Sequence, residues 1–177
     1  MEGRKVSKEI VEFCNLIVGT WKLNERTFNY QKGFPEKEAK NVIIDIVNVE
    51  VLTNDYRRFY RWTTSDDAET VNKQNYPTMV MEVFGKNEGD DSDFEFRSDD
   101  YSEVGIGKIC GKWMTIILEC IKKDERITKT LHYKLEDKNT MLYTSICVNN
   151  YGKDSFIEQG VLNRIYLDDN TDLLKPK

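Results

Sequence analysis

The chain has 177 residues, 39% of them hydrophobic and 32% charged, with a formal net charge of −5. That length predicts one domain, large enough to bury its own core. The acidic balance, with Lys and Arg scattered rather than clustered, argues against a generic nucleic-acid or anionic-membrane surface, since both need concentrated cations.

The first residues, Met1 to Glu9, lack an apolar h-region, so no secretory leader is expected. No run approaches the roughly 18 apolar residues of a membrane span. Cys14, Cys110, Cys120 and Cys147 lie far apart and form no C-x-x-C pair. They are expected to be reduced and mostly buried thiols of a cytoplasmic protein.

In chain order, residues 7–18 predict a short helix. Ser7 is a candidate N-cap, Glu9 lies in the first turn, and Ile10, Phe13, Leu16 and Ile17 fall on one face. Gly19 ends it, and Gly19-Thr-Trp21 forms the joint to the first strand. Glycine supplies backbone angles forbidden to other residues, and the tryptophan a large apolar plug with one N–H to satisfy. From there the hydrophobic period becomes two. Ten strands are predicted, near 20–30, 42–52, 56–64, 77–84, 93–98, 102–110, 113–122, 126–136, 140–148 and 155–167, rich in Val, Ile, Thr, Tyr and Phe. Turn-forming residues separate them at short intervals, among them Gly33-Phe-Pro35, Asn87 to Asp91, Lys123-Asp124, Asp137 to Asn139 and Asn149 to Gly152.

This spacing predicts an all-β fold: a closed antiparallel up-and-down barrel of about ten strands, with the short N-terminal helix covering one end. The single domain divides into helix 7–18, barrel 19–168 and a flexible tail over 169–177. Within 126–135, Ile127, Leu131, Tyr133 and Leu135 alternate with Arg126, Thr128, Thr130, His132 and Lys134. The strand at 113–121 is apolar on both faces apart from Thr115 and Glu119, which points to cover by the helix or by a homodimer partner.

Gly19-Thr-Trp21 on the first strand, with Arg164-Ile-Tyr166 on the last, resembles the calycin superfamily of lipocalins, fatty-acid-binding proteins and nitrobindins. Val18-Gly-Thr-Trp-Lys-Leu23 is similar to the opening of the fatty-acid-binding branch, but residues 31–40 are too few for that branch's two-helix lid. The nitrobindin branch is nearest in layout, with a helix before the first strand and similar stretches at Met81 to Phe84, Asp93 to Phe96 and Val104 to Ile109. Its haem-ligating histidine is missing, because Ile157 to Leu167 holds none. Neither haem nor any other cofactor is therefore expected. The barrel-type bilin lyases of phycobiliprotein assembly are also similar, in the helix-Gly-x-Trp start and the ten-strand barrel.

The resemblance implies two uses for Arg164 and Tyr166, which share one side of a strand. Turned inward, Arg164 offers a planar fork to a carboxylate and Tyr166 a further donor. Turned to the barrel end, Arg164 covers Trp21 by cation–π contact. Arg61, on the basic-aromatic strand Arg57 to Trp62, and Tyr143 complete the candidate anchors, with Gly19 and Trp21 as structural positions. The lone His132 stands among polar neighbours with nothing at metal spacing. No phosphate loop, G-x-S-x-G or paired-carboxylate motif occurs, and no catalytic residue is assigned. Gly105-Ile-Gly107 carries no evident meaning. The expected function is binding of a small, largely apolar molecule, a fatty acid or similar, without catalysis. The alternatives are a haem- or tetrapyrrole-handling barrel, nitrobindin-like or lyase-like, and a packed barrel serving as an interaction module.

Overall fold

The computed structural model describes residues 4–29, 38–66, 78–85, 92–122, 125–149, 155–168 and 171–176. Most of the turns expected at 33–35, 87–91, 123–124 and 149–152 lie outside these residues. One helix, α1 (Lys8–Ile17), precedes the strands β1 (Gly19–Asn29), β2 (Glu38–Asn48), β3 (Arg57–Asp66), β4 (Met79–Phe84), β5 (Ser92–Ser98), β6 (Glu103–Cys110), β7 (Trp113–Lys122), β8 (Glu125–Asp137), β9 (Thr140–Asn149), β10 (Phe156–Asp168) and β11 (Thr171–Pro176). Each strand pairs antiparallel with the next, and β1 pairs with β10, so ten strands close into a barrel. Closure satisfies both edges of every strand it includes.

Most bounds fall within two residues of the expected ones, and the larger differences lie at β2 and after β10. The second strand ends at Asn48, because the chain turns at Val49, whose carbonyl accepts from the amides of Leu52 and Thr53. Residues 171–176, within the span expected as a tail, form β11, which pairs with the end of β10.

Alternation fixes which side chains enter the barrel. Trp21 and Leu23 of β1, Ile44 and Ile46 of β2, Tyr60 and Trp62 of β3, and Met79, Met81 and Val83 of β4 are all buried. Phe94 and Phe96 face inward from β5, opposite Gly107 and Gly105 of β6. A glycine has no side chain to cover its backbone, and here the aromatic rings do so: a Cβ built on Gly107 would fall within the Phe94 ring. Gly107 thus makes room for the Phe94 ring, and Gly105 for the backbone of Ile117 and Leu118 on β7.

The helix closes one end. Ser7 caps it, its hydroxyl accepting from the Ile10 amide at 3.4 Å, and Ile10, Phe13, Cys14 and Ile17 are buried in the common core. Leu16 is exposed and Cys14 takes its expected place in the core. The Cys14 thiol meets the Tyr60 hydroxyl, which in turn accepts from Arg58 Nε at 2.8 Å. Burial pushes the Cys14 thiol up to about 12, so it stays protonated and inert. Cys120 and Cys147 are buried as well, whereas Cys110 is exposed at the β6–β7 turn. A thiol reagent such as Ellman's should therefore titrate Cys110 rapidly in the folded protein and the other three only after unfolding. Four fast-reacting thiols under native conditions would contradict this packing.

Candidate functional site

The end of the barrel under α1 is sealed by Arg164. Its side chain lies across Trp21, with the guanidinium carbon 4.2 Å from the ring centroid. Nη1 donates to the Val18 carbonyl at 2.7 Å, Nε to the Lys138 carbonyl at 2.7 Å, and Nη2 to the Leu16 carbonyl. One side chain thereby joins the last turn of α1, the β8–β9 turn and the tryptophan. The Trp21 indole N–H is spent as well, on the Ile17 carbonyl at 2.9 Å. Gly19 has φ +138°, and a Cβ there would collide with Arg164 Nη1, so this position requires glycine twice over. Of the two uses open to Arg164, the structure places it in the cap.

The other expected anchors are distributed unevenly. Tyr166 is partly exposed, and its hydroxyl donates to Asn139 Oδ1 at 2.6 Å, outside the lumen and beside the same turn that Arg164 holds. Arg61 is exposed on the outer face, since it alternates with the inward Tyr60 and Trp62, and so it lies outside the lumen. Its neighbour Arg57 pairs with Glu82 and stacks near Phe59 and Phe84, 5.6 and 5.2 Å from their centroids. Only Tyr143 is an interior residue. Its ring lies 5.1 Å from that of Tyr133. His132 is on the outer face, its Nδ1 3.1 Å from Thr115 Oγ1. Among the described residues no group of three His, Cys, Asp or Glu could hold a metal, and no helix is long and apolar enough to cross a membrane.

Midway along the barrel an aromatic layer crosses the lumen. Trp62 of β3 meets Phe96 at 5.3 Å and Tyr133 of β8 at 5.6 Å, both edge-on. Such pairs add about 0.5–1.5 kcal/mol beyond the area they bury. Trp62 is 3% exposed, yet its indole N–H has no hydrogen-bond partner among the described residues. An orphaned buried donor costs on the order of 1–3 kcal/mol.

Beyond this layer, toward the end away from α1, the apolar Ile116, Leu118 and Leu131 share the inward face with small and polar positions. The latter include Thr64, Ser98, Gly105, Ser145 and Gly160, then an ionic cluster that the sequence reading missed. Glu103 Oε1 accepts from Lys129 Nζ at 2.8 Å and from Cys120 Sγ at 2.9 Å. Cys147 stands directly opposite Lys129, and Asn149 Nδ2 donates to Glu125 Oε2 at 3.3 Å. Burial raises the Cys147 thiol pKa, so this thiol too is held protonated. Lys129 was legible in principle: it occupies the same face as Ile127, Leu131, Tyr133 and Leu135, where a lysine breaks the apolar series.

The outward residues of β7 are not covered by α1. Ile117 is 47% exposed and continues a cross-strand row from Ile106 through Thr130 to Ile146. A groove of about 490 Å³ opens beside it, lined by Glu95, Arg97, Tyr101, Val104, Ile106 and Ile117.

No family model matches the chain, and no curated protein does. Among solved structures it is similar to the S-type phycobiliprotein lyase CPES from Guillardia theta, with a TM-score of 0.59 and 16% identity over 90% of this chain and 94% of that one. A redesigned β-barrel aligns with a TM-score of 0.36 and 10% identity, over 85% of this chain and 93% of that one. The likeness to the lyase is one of fold: an antiparallel β-barrel matched along most of both chains.

Proposed function

We propose that the barrel binds a small, largely apolar molecule, which enters from the end away from α1 and rests against the Trp62–Phe96–Tyr133 layer. The observation that carries this reading is the Trp62 indole N–H, buried without an acceptor among the described residues. Trp21, equally buried, has its donor satisfied by a backbone carbonyl. A ligand carbonyl, ether or ring nitrogen would supply what Trp62 lacks, and the small residues below the aromatic layer, set among Leu118 and Leu131, give the described wall both polar and apolar contacts. Pockets of this kind are apolar with a few placed polar groups.

The test is organic extraction of the purified protein with mass spectrometry of the extract, followed by titration with 1-anilinonaphthalene-8-sulfonate. Binding should quench tryptophan emission. The quench should vanish in Trp62→Phe and persist in Trp113→Phe, which alters a half-exposed residue on the outer face. An empty extract together with no quenching in the parent protein would overturn the proposal.

A second reading rests on the fold neighbour, a phycobiliprotein lyase matched along 90% of this chain. Under it, the molecule handled is a linear tetrapyrrole. Biliverdin would then gain a structured visible circular dichroism band on mixing, which dodecanol in the same lumen could displace. His132 stands on the outer face and plays no part in either reading.

A further inference from the structure

Among the residues whose side chains are described, Lys129 is the one lysine on the inward face of a strand. It sits on β8 between Ile127 and Leu131 and opposite Leu118 on β7. Its side chain is 31% exposed and that of Glu103 is 9% exposed, so the pair lies inside the barrel but within reach of water. Burial pulls the ammonium pKa down, and the charge and hydrogen bond of Glu103 more than reverse this, leaving it raised. Lys129 is therefore a fixed cation at neutral pH.

A half-buried ion pair is a poor device for stability, because desolvation consumes most of its Coulombic gain. An apolar pair would close the lumen at least as firmly. The ammonium carries three donors, and among the described residues it gives one, to Glu103 Oε1. The remaining two have no acceptor among the described residues. Along β8, Tyr133 of the aromatic layer lies four residues further on, a distance of about 13 Å at strand rise, with the apolar Leu131 on the same face between them.

We infer that Lys129 anchors the carboxylate of an amphipathic acid, whose apolar body of about 13 Å runs from the lumen mouth to the Trp62–Tyr133 layer. This rests on the lumen-binding reading above and names its ligand class. The head group meets Lys129 as a charge-assisted hydrogen bond in a partly dry site, where such bonds are strong. Glu103 is then a competitor: it holds the ammonium while the site is empty and opposes a second carboxylate when it is filled. Glu158 on β10, opposite Ser145, adds to that opposition. Competition of this kind lets an acid bind reversibly.

The experiment measures binding of dodecanoate, dodecanol and dodecylamine by calorimetry. The parent protein should bind dodecanoate and dodecanol. Lys129→Met should weaken dodecanoate at least tenfold and leave dodecanol unchanged. Glu103→Gln should tighten dodecanoate several-fold, an effect no purely structural ion pair would give. The double variant Glu103→Gln/Lys129→Met removes the pair without leaving a lone charge. It should fold like the parent and bind dodecanol alone. If dodecanoate and dodecanol bind the parent and Lys129→Met equally, or if dodecylamine is preferred, the anion anchor is wrong while lumen binding stands. If none of the three binds the parent, both fall.

Discussion

Arg164→Ala should lower the stability of the barrel by about 3 kcal/mol. Three backbone carbonyls lose a charged donor, and a bond of that kind contributes about 1.5–3 kcal/mol when buried and less at a half-exposed site such as this one. The stacking on Trp21 adds roughly 0.5–1 kcal/mol. The three carbonyls come from Leu16, Val18 and Lys138, so the loss also unties α1 from the β8–β9 turn. Arg164→Lys should rescue little, because an ammonium cannot present a planar fork to three acceptors while lying flat on an indole. Urea unfolding followed by far-UV circular dichroism reads the effect, and an unchanged midpoint would show that the cap is not held by this residue. Under the lumen-binding proposal, ligand affinity in the folded fraction should stay near the parent value.

What could be read from the sequence and what could not divides along a physical line. Strand positions, barrel closure and the helix across one end follow from period-two alternation and short turns, which are local and additive along the chain. The Gly19–Trp21–Arg164 constellation was visible because it joins short motifs at the two ends of a closed sheet, where closure makes them neighbours. The lumen cluster was not visible, because Glu103, Cys120, Lys129 and Cys147 lie on four different strands and only the barrel register brings them together. Arg61 shows the opposite error. A basic residue beside aromatics suggests a pocket wall, yet one step of alternation puts Arg61 outside while Tyr60 and Trp62 go in. Parity along β3 decides this, and a strand with charged and aromatic residues on both faces does not declare its own parity. The meaning of Gly105 and Gly107 likewise depends on neighbouring strands, through the β7 backbone beside one and the Phe94 ring beside the other.

That dependence leads to the other large effect. Gly105→Ala should be more damaging than Gly107→Ala, although both glycines face inward on one strand two residues apart. The three atoms nearest a Cβ on Gly107 all belong to the Phe94 ring, which can turn about its own side-chain bonds at the cost of some packing. A Cβ on Gly105 would press into the Ile117 carbonyl and lie 2.9 Å from Leu118 Cα, all of it backbone of the adjacent strand. Backbone cannot rotate aside, so β6 must move away from β7 and stretch the ladder between Gly105 and Leu118. Overpacking strain of this sort typically costs 1–3 kcal/mol, and rupture of the local ladder should bring the total to about 3 kcal/mol or more. Phe96, which stands across from Gly105 and packs edge-on against Trp62, would be displaced with it. The substitution should therefore also disturb the near-ultraviolet dichroism of the aromatic layer, where Gly107→Ala should shift it less. Denaturant midpoints for the two variants, measured together with that spectrum, test the ordering. Equal midpoints would mean that β6 and β7 are not held in the close approach the glycine permits.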